Sequence, residues 1–251
     1  MTRSPIAKVL FSLRENGIRS LLMGGQACIL YGAAEFSRDT DITLHASREN
    51  LERLEAALAD LDAEVIAVPP FELGYLERGH AVHFRCRRPD VFRLRLDVMT
   101  KMRGVDPFTD LWERRATYTL SEGLTVDVMA LPDLVTSKKT QRDKDWPMIR
   151  RLVEADYDRY FAEPDGDRIG FWLRELRTPE LLIECARRFP EGAREQAAER
   201  AAISPAISGE EGEVERRMAE EQALEMDRDR AYWAPLRAEL QRLRRERRRE
   251  R

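Results

Sequence analysis

The stretch Leu21-Leu22-Met23-Gly24-Gly25-Gln26-Ala27, followed by Ser37-Arg38-Asp39-Thr40-Asp41-Ile42, limits the possible fold more than any other part of this chain. An apolar run of strand type ends in two glycines. A helix-compatible segment follows, and an Asp-x-Asp pair then leads into Ile42-Thr43-Leu44. Residues i and i+2 of a strand share a face, so Asp39 and Asp41 are expected side by side. Two adjacent carboxylates repel unless a cation lies between them. A hard divalent ion, held by one or two carboxylates plus substrate phosphates, is the usual partner. Glycines just upstream let the backbone approach phosphates, and a helix beginning there aims its N–H groups at them. The pattern predicts a metal–nucleotide site.

The surrounding periodicity supplies the other elements. Ile6, Val9, Leu10 and Leu13 have helical spacing, with Pro5 at the first turn and Gly17 as a stop. Residues 18–23 read as the first strand, 26–31 as a short helix and 41–44 as a second strand. Ser47 suits the N-cap of a helix running to about Leu61, with Leu51, Leu54, Leu58 and Leu61 on one face. Residues 64–68, 82–87 and 92–100 read as strands. The last of these carries Asp97 between Leu96 and Val98, and a charge in an apolar strand is costly unless paired or metal-bound. If that strand lies beside the one carrying Asp39 and Asp41, three carboxylates converge, enough for one or two metal ions. A hairpin is expected from residues 117–120, a Ser121-Glu122-Gly123 turn and residues 124–130. Asp127 in its second strand competes with Asp97 for the third carboxylate and ranks below it. Pro132 and Asp133 then open a helix.

Residues 138–146 read Lys-Lys-Thr-Gln-Arg-Asp-Lys-Asp-Trp. On a helix Lys138 and Arg142 would be i, i+4 neighbours in one positive patch, a point charge beside a planar fork, as phosphate recognition favours. Asp145 could orient one of them through an ion pair.

Together these motifs resemble the nucleotidyltransferase superfamily, and within it the bacterial branch that includes AbiEii-like and other toxin–antitoxin-associated proteins. The resemblance rests on Gly24, Gly25, Gln26 and Ala27, on Tyr31-Gly32, on Ser37, Asp39 and Asp41, and on the Lys138 to Asp145 cluster. It departs at Glu35, where members of that branch often carry Arg. The resemblance implies an α/β (α+β) fold, a nucleotidyltransferase-type mixed sheet flanked by helices, over residues 1–160, with an α-helical C-terminal extension over 161–251. It implies Mg²⁺ (or Mn²⁺) held by Asp39, Asp41 and Asp97, the last also serving as base for an incoming hydroxyl. The nucleotide, an NTP, would meet Gly24, Gly25, Gln26, Ser37, Lys138 and Arg142. The acceptor stays open between an RNA 3′ end, a protein side chain and a small molecule such as an aminoglycoside, and a cognate protein partner in a toxin–antitoxin pair is conceivable. A non-catalytic binding module on the same fold is the rival from another class.

Composition sets outer bounds. Three dispersed cysteines among 251 residues argue against a disulfide framework and favour a reducing cytoplasm. No apolar run reaches the ~20 residues that span a bilayer, and the start of the sequence lacks a signal-like pattern. The net charge of −3 names no partner, but residues 242–251 are strongly basic. Residues 202–213 look like a linker, and residues 213–251 like a long amphipathic helix or helical hairpin. Its arginines could bind RNA, which is a third reading. His80, His83 and Cys86 do not share a strand face and make a poor zinc site. Cys28 and Cys185 read as small core residues. No nucleophile motif accompanies the three histidines.

Overall fold

A computed structural model describes residues 4–120 and 123–249, so Ser121 and Glu122 of the expected hairpin turn lie outside the described residues. The chain forms two compact units. One comprises Met1–Leu30, Ala34–Leu134 and Tyr232–Arg251, the other Tyr31–Ala33 and Val135–Ala231.

The first unit is built on a sheet of seven strands: β1 (Ser20–Met23), β2 (Asp39–Leu44), β3 (Ala63–Val65), β4 (Val82–Cys86), β5 (Arg95–Met99), β6 (Ala116–Thr119) and β7 (Thr125–Val128). Their spatial order is β3-β4-β5-β2-β1-β7-β6. The pairs β2/β5 and β1/β7 are parallel and the others antiparallel. The sheet is therefore mixed, as an α/β chain of this pattern was expected to give. Strand alternation divides its residues between two faces. Leu22, Ile42, Val82, Phe84, Leu96 and Val98 are buried on one face. Asp39, Asp41, His83, Arg85, Arg95 and Asp97 occupy the other, half-buried or exposed.

Helices of this unit are α1 (Pro5–Glu15), α2 (Gly24–Leu30), α3 (Arg48–Asp60), α4 (Leu73–Arg78), α5 (Phe108–Glu113) and the start of α6 (Leu131–Ser137). Ser4 and Ser47 cap α1 and α3 by accepting from the N–H groups of Ala7 and Asn50. Val9, Leu10 and Leu13 of α1 and Leu51, Leu54 and Leu58 of α3 are buried, the apolar stripes that helical spacing implied.

The second unit is helical: α7 (Trp146–Tyr160), α8 (Gly166–Glu175), α9 (Pro179–Arg188), α10 (Pro190–Gln196), α11 (Ile203–Ser208) and the first part of α12 (Glu211–Arg249). The expected linker is a correction. Residues 203–208 are a helix with Ile203, Pro205 and Ala206 buried, because Ser-Pro here opens a helical turn instead of a loop. The C-terminal segment is one helix of 39 residues, with Pro235 inside it, and not a hairpin. No helix among the described residues is long and apolar enough to cross a membrane.

Candidate active site

Three carboxylates come from two neighbouring parallel strands. Asp41 of β2 pairs in register with Asp97 of β5, and Asp39 pairs with Arg95. Side-chain alternation then puts Asp39, Asp41, Arg95 and Asp97 on one patch of one face. His83 of β4 is the cross-strand partner of Asp97 on its other side. Asp127, the competing third carboxylate, is on β7, where its Oδ1 accepts from Thr117 Oγ1 at 2.7 Å and Arg115 Nε at 3.1 Å. It does not sit beside Asp41, whereas Asp97 does.

The two glycines close the site from the side of β1. Gly24 is the first residue of α2, with φ +63°, a conformation that disfavours any residue with a Cβ. A Cβ built there would overlap the Asp41 carboxylate, and one on Gly25 would overlap the Ser37 side chain. Both glycines are therefore required by close approach. Gln26 and Ser37 are tied to the loop itself. Gln26 Nε2 donates to the Ser37 carbonyl at 3.0 Å, and Ser37 Oγ donates to the Asp39 carbonyl at 3.2 Å. These bonds fix the approach of the chain to Asp39.

Arg95 belongs to no motif of the sequence, although its position two residues before Asp97 on an alternating strand puts it on the same face. Its Nε donates to Asp97 Oδ1 at 2.7 Å, and its Nη2 lies 3.1 Å from His83 Nδ1. His83 Nδ1 is in turn 2.9 Å from Asp97 Oδ1. Partial burial works against the guanidinium charge. The hydrogen bond to Asp97 and the charges of Asp97, Asp39 and Asp41 outweigh it, so the Arg95 pKa is raised.

Oxygen donors of this kind suit a hard divalent cation, and the register supplies three of them. In their present rotamers no group of three or more His, Cys, Asp or Glu side chains among the described residues is arranged to hold an ion. Asp97 is engaged with Arg95 and His83 instead. His80, His83 and Cys86 are placed apart from one another. His83 faces the carboxylates, buried Cys86 is three residues on, at an odd spacing that turns it to the other face, and His80 Nε2 is 2.7 Å from Glu239 Oε2.

Lys138 and Arg142 belong to the second unit, and the helical i, i+4 patch expected of them is not formed. α6 ends at Ser137, and residues 138–142 make tight turns. Local side-chain bonds compete with the helix here. Thr140 Oγ1 is 2.5 Å from Asp145 Oδ2 and accepts from the Arg142 N–H at 3.2 Å, while the Gln141 N–H donates to Asp229 at 2.9 Å. Asp145 does pair with Arg142, Nε to Oδ2 at 2.7 Å.

The chain is similar to a candidate nucleotidyltransferase from H. pylori, with a TM-score of 0.38 and 13% identity over 89% of this chain and 94% of that one. It is also similar to the antibiotic-resistance factor ANT(2'')-Ia, with a TM-score of 0.36 and 12% identity over 77% of this chain and 91% of that one. No family model matches the chain, and no curated protein matches it. At this level of superposition neither neighbour assigns a role to any single residue.

Proposed function

We propose that this chain is a divalent-metal-dependent nucleotidyltransferase that moves a nucleoside monophosphate from an NTP to a hydroxyl acceptor and releases pyrophosphate. The observation that carries this reading is the in-register placement of Asp97 beside Asp41, with Asp39 on the same face and Gly24 packed directly against the Asp41 carboxylate. Surface acids do not need a glycine with positive φ at their side, and this one leaves room for nothing larger.

In this reading Asp39 and Asp41 hold Mg²⁺ or Mn²⁺, and Asp97 completes the set or accepts the proton of the attacking hydroxyl. The ion, when bound, supplies charge neutralisation at the transferring phosphate. Gly24 and Gly25 keep side chains out of the space that phosphate oxygens need, and α2 begins at that point. The Gln26–Ser37 bond holds the loop that delivers Asp39. The hydroxyl oxygen attacks the α-phosphorus, the bond to the β-phosphate breaks, and pyrophosphate carries off the electron pair. Lys138 and Arg142 are proposed to meet phosphate. The acceptor class, a toxin–antitoxin setting and a protein or RNA partner belong to the same proposal at a finer level.

The test is calorimetric titration of the folded protein with each NTP, with and without Mg²⁺, alongside Asp39→Asn/Asp41→Asn. Metal-dependent nucleotide binding that the double variant loses is the expected result. A folded wild-type protein that binds no NTP under any metal would leave the non-catalytic module as the better account.

A further inference from the structure

We propose that Phe36 is the stacking platform for the base of the incoming nucleotide, with the Arg38 guanidinium as a second flat, cationic surface beside it. The assignment rests on the nucleotidyl-transfer reading above and adds to it the contact that takes the base.

Phe36 is 72% exposed, more than any other large hydrophobic side chain among the described residues. A single exposed apolar side chain needs no explanation by itself. Phe36 differs through the way its backbone is tied. The carbonyl of its neighbour Ser37 accepts from Gln26 Nε2 at 3.0 Å, and Ser37 Oγ donates to the Asp39 carbonyl at 3.2 Å. The Ser37 side chain also fills the space that a Cβ on Gly25 would need. Consecutive Cα atoms are about 3.8 Å apart, so the Phe36 Cα lies at most about 11 Å from that of Asp39. The ring therefore stands beside the glycines and carboxylates, on a loop that is fixed to both.

Its chemistry suits a nucleobase. Among residues 20–30, 34–44 and 95–99, which build the site, Phe36 is the single aromatic side chain. The Arg38 guanidinium carbon lies 6.0 Å from the ring centroid, at the outer edge of cation–π range. Every base has a π-face, so it stacks on an aromatic ring whatever its hydrogen-bonding edge, and an arginine plane adds an attraction of its own. Phe92 shows that exposure and a nearby cation do not decide the matter alone. It is 64% exposed and has the Arg93 guanidinium 5.9 Å from its ring. Its turn, however, is tied to α1 by Lys8 Nζ and Asp90 Oδ2 at 3.2 Å, and not to the glycine loop. Phe92 is therefore the natural control.

The experiment is calorimetric titration of wild type, Phe36→Ala, Phe36→Trp and Phe92→Ala with each NTP and with inorganic tripolyphosphate, all in Mg²⁺. Tripolyphosphate has the phosphates and no base. The expected result is an NTP that binds wild type more tightly than tripolyphosphate does. Phe36→Ala should lose about tenfold in affinity for that NTP, the scale of one base–aromatic stack, and bind tripolyphosphate as wild type does. Phe36→Trp should keep the affinity, and the fluorescence of its added indole should be quenched by the NTP and not by tripolyphosphate. Phe92→Ala should match wild type. A Phe36→Ala protein that binds the NTP like wild type, or that loses NTP and tripolyphosphate alike, overturns the platform and leaves nucleotide binding in place. Equal affinity of wild type for NTP and tripolyphosphate does the same, as does an equal loss in Phe92→Ala. If wild type binds neither, the platform and the nucleotidyl-transfer reading fall together.

Discussion

Two arginines lie at the centre of charged clusters in this protein, and they have opposite electrostatic characters. Arg200, in the second unit, is 6% exposed, and each of its three guanidinium nitrogens donates a hydrogen bond. Nε reaches both oxygens of Glu221 at 3.1 and 3.2 Å, Nη1 reaches the Leu173 carbonyl at 2.7 Å, and Nη2 reaches the Leu176 carbonyl at 2.8 Å. Around it Glu221 also pairs with Arg177, and Glu175 with Lys139 and Arg177. Burial dominates there, helped by the nearby charge of Arg177, and the Arg200 pKa is lowered. Arg95 is partly exposed and outnumbered by acids, and its pKa is raised. A cluster that is sealed and bonded to helix-end carbonyls is a staple. One that is open to solvent presents its charges to a ligand.

The sharpest way to break this contrast is Arg200→Ala. It leaves Glu221 half-buried with one partner fewer and two carbonyls of the α8 end without donors. Breaking a buried pair from one side costs about 3–5 kcal/mol. Thermal denaturation should show a midpoint lower by roughly 10 °C. Metal and nucleotide affinities, measured well below that midpoint, should be unchanged. A fall in Mn²⁺ affinity without loss of stability would end the distinction between staple and site.

Gly24→Ala should behave in the opposite way. The positive φ costs about 1–2 kcal/mol for a residue with a Cβ. The larger effect is expected on binding, because the new methyl would push the Asp41 carboxylate out of place. Calorimetry should show metal-dependent nucleotide binding reduced about tenfold or more while the fold persists. Unchanged binding would mean that the glycine serves only the turn.

This contrast also explains what was legible beforehand. The Gly-Gly and Asp-x-Asp elements carry their geometry locally, in a strand period of two and a backbone that needs Gly24, so residues 20–44 could be placed from their own chemistry. Asp97 could be named because alternation marked its face, but its pairing with Asp41 depends on strand order, which no local pattern contains. Arg95 was hidden by its ordinariness, since arginines on exposed strand faces are common and only the register with Asp39 gives this one a role. α4 and α5 have six residues each, too short for a helical period to stand out. Residues 138–142 failed for a different reason. Their helical spacing was real in the sequence, but Thr140 and Asp145 offered the backbone closer partners.

Glu239 tests a case between staple and site. It lies on α12 within the first unit, where His80 Nε2 approaches Oε2 at 2.7 Å and Arg78 Nη2 approaches Oε1 at 3.1 Å. The hydrogen bond to His80, with help from Arg78, holds its carboxyl below the ordinary 4.5. A depressed folded pKa contributes stability that is present above the unfolded value and lost as pH falls through the folded one. Hydrogen exchange of residues 232–249 should therefore accelerate as pH drops below about 4.5. Glu239→Gln should remove that step and cost about 1 kcal/mol of local protection at neutral pH. A pH step that survives in the Gln variant would assign it to another carboxylate.

Arg142→Ala has the smallest expected effect and divides the two categories most finely. Its guanidinium is largely exposed, so the ion pair to Asp145 should contribute no more than about 0.5 kcal/mol, and the midpoint should move by a degree or two at most. Asp145 is itself buried and keeps the Thr140 hydroxyl at 2.5 Å, which limits the loss further. If Arg142 meets phosphate as proposed, KM for the NTP should rise severalfold in the same protein, with kcat little altered, because uniform binding is lost. Lys138→Ala should give the same pattern. A lowered midpoint with unchanged KM would instead place Arg142 beside Arg200, as a group that orders its own loop and takes no part in recognition.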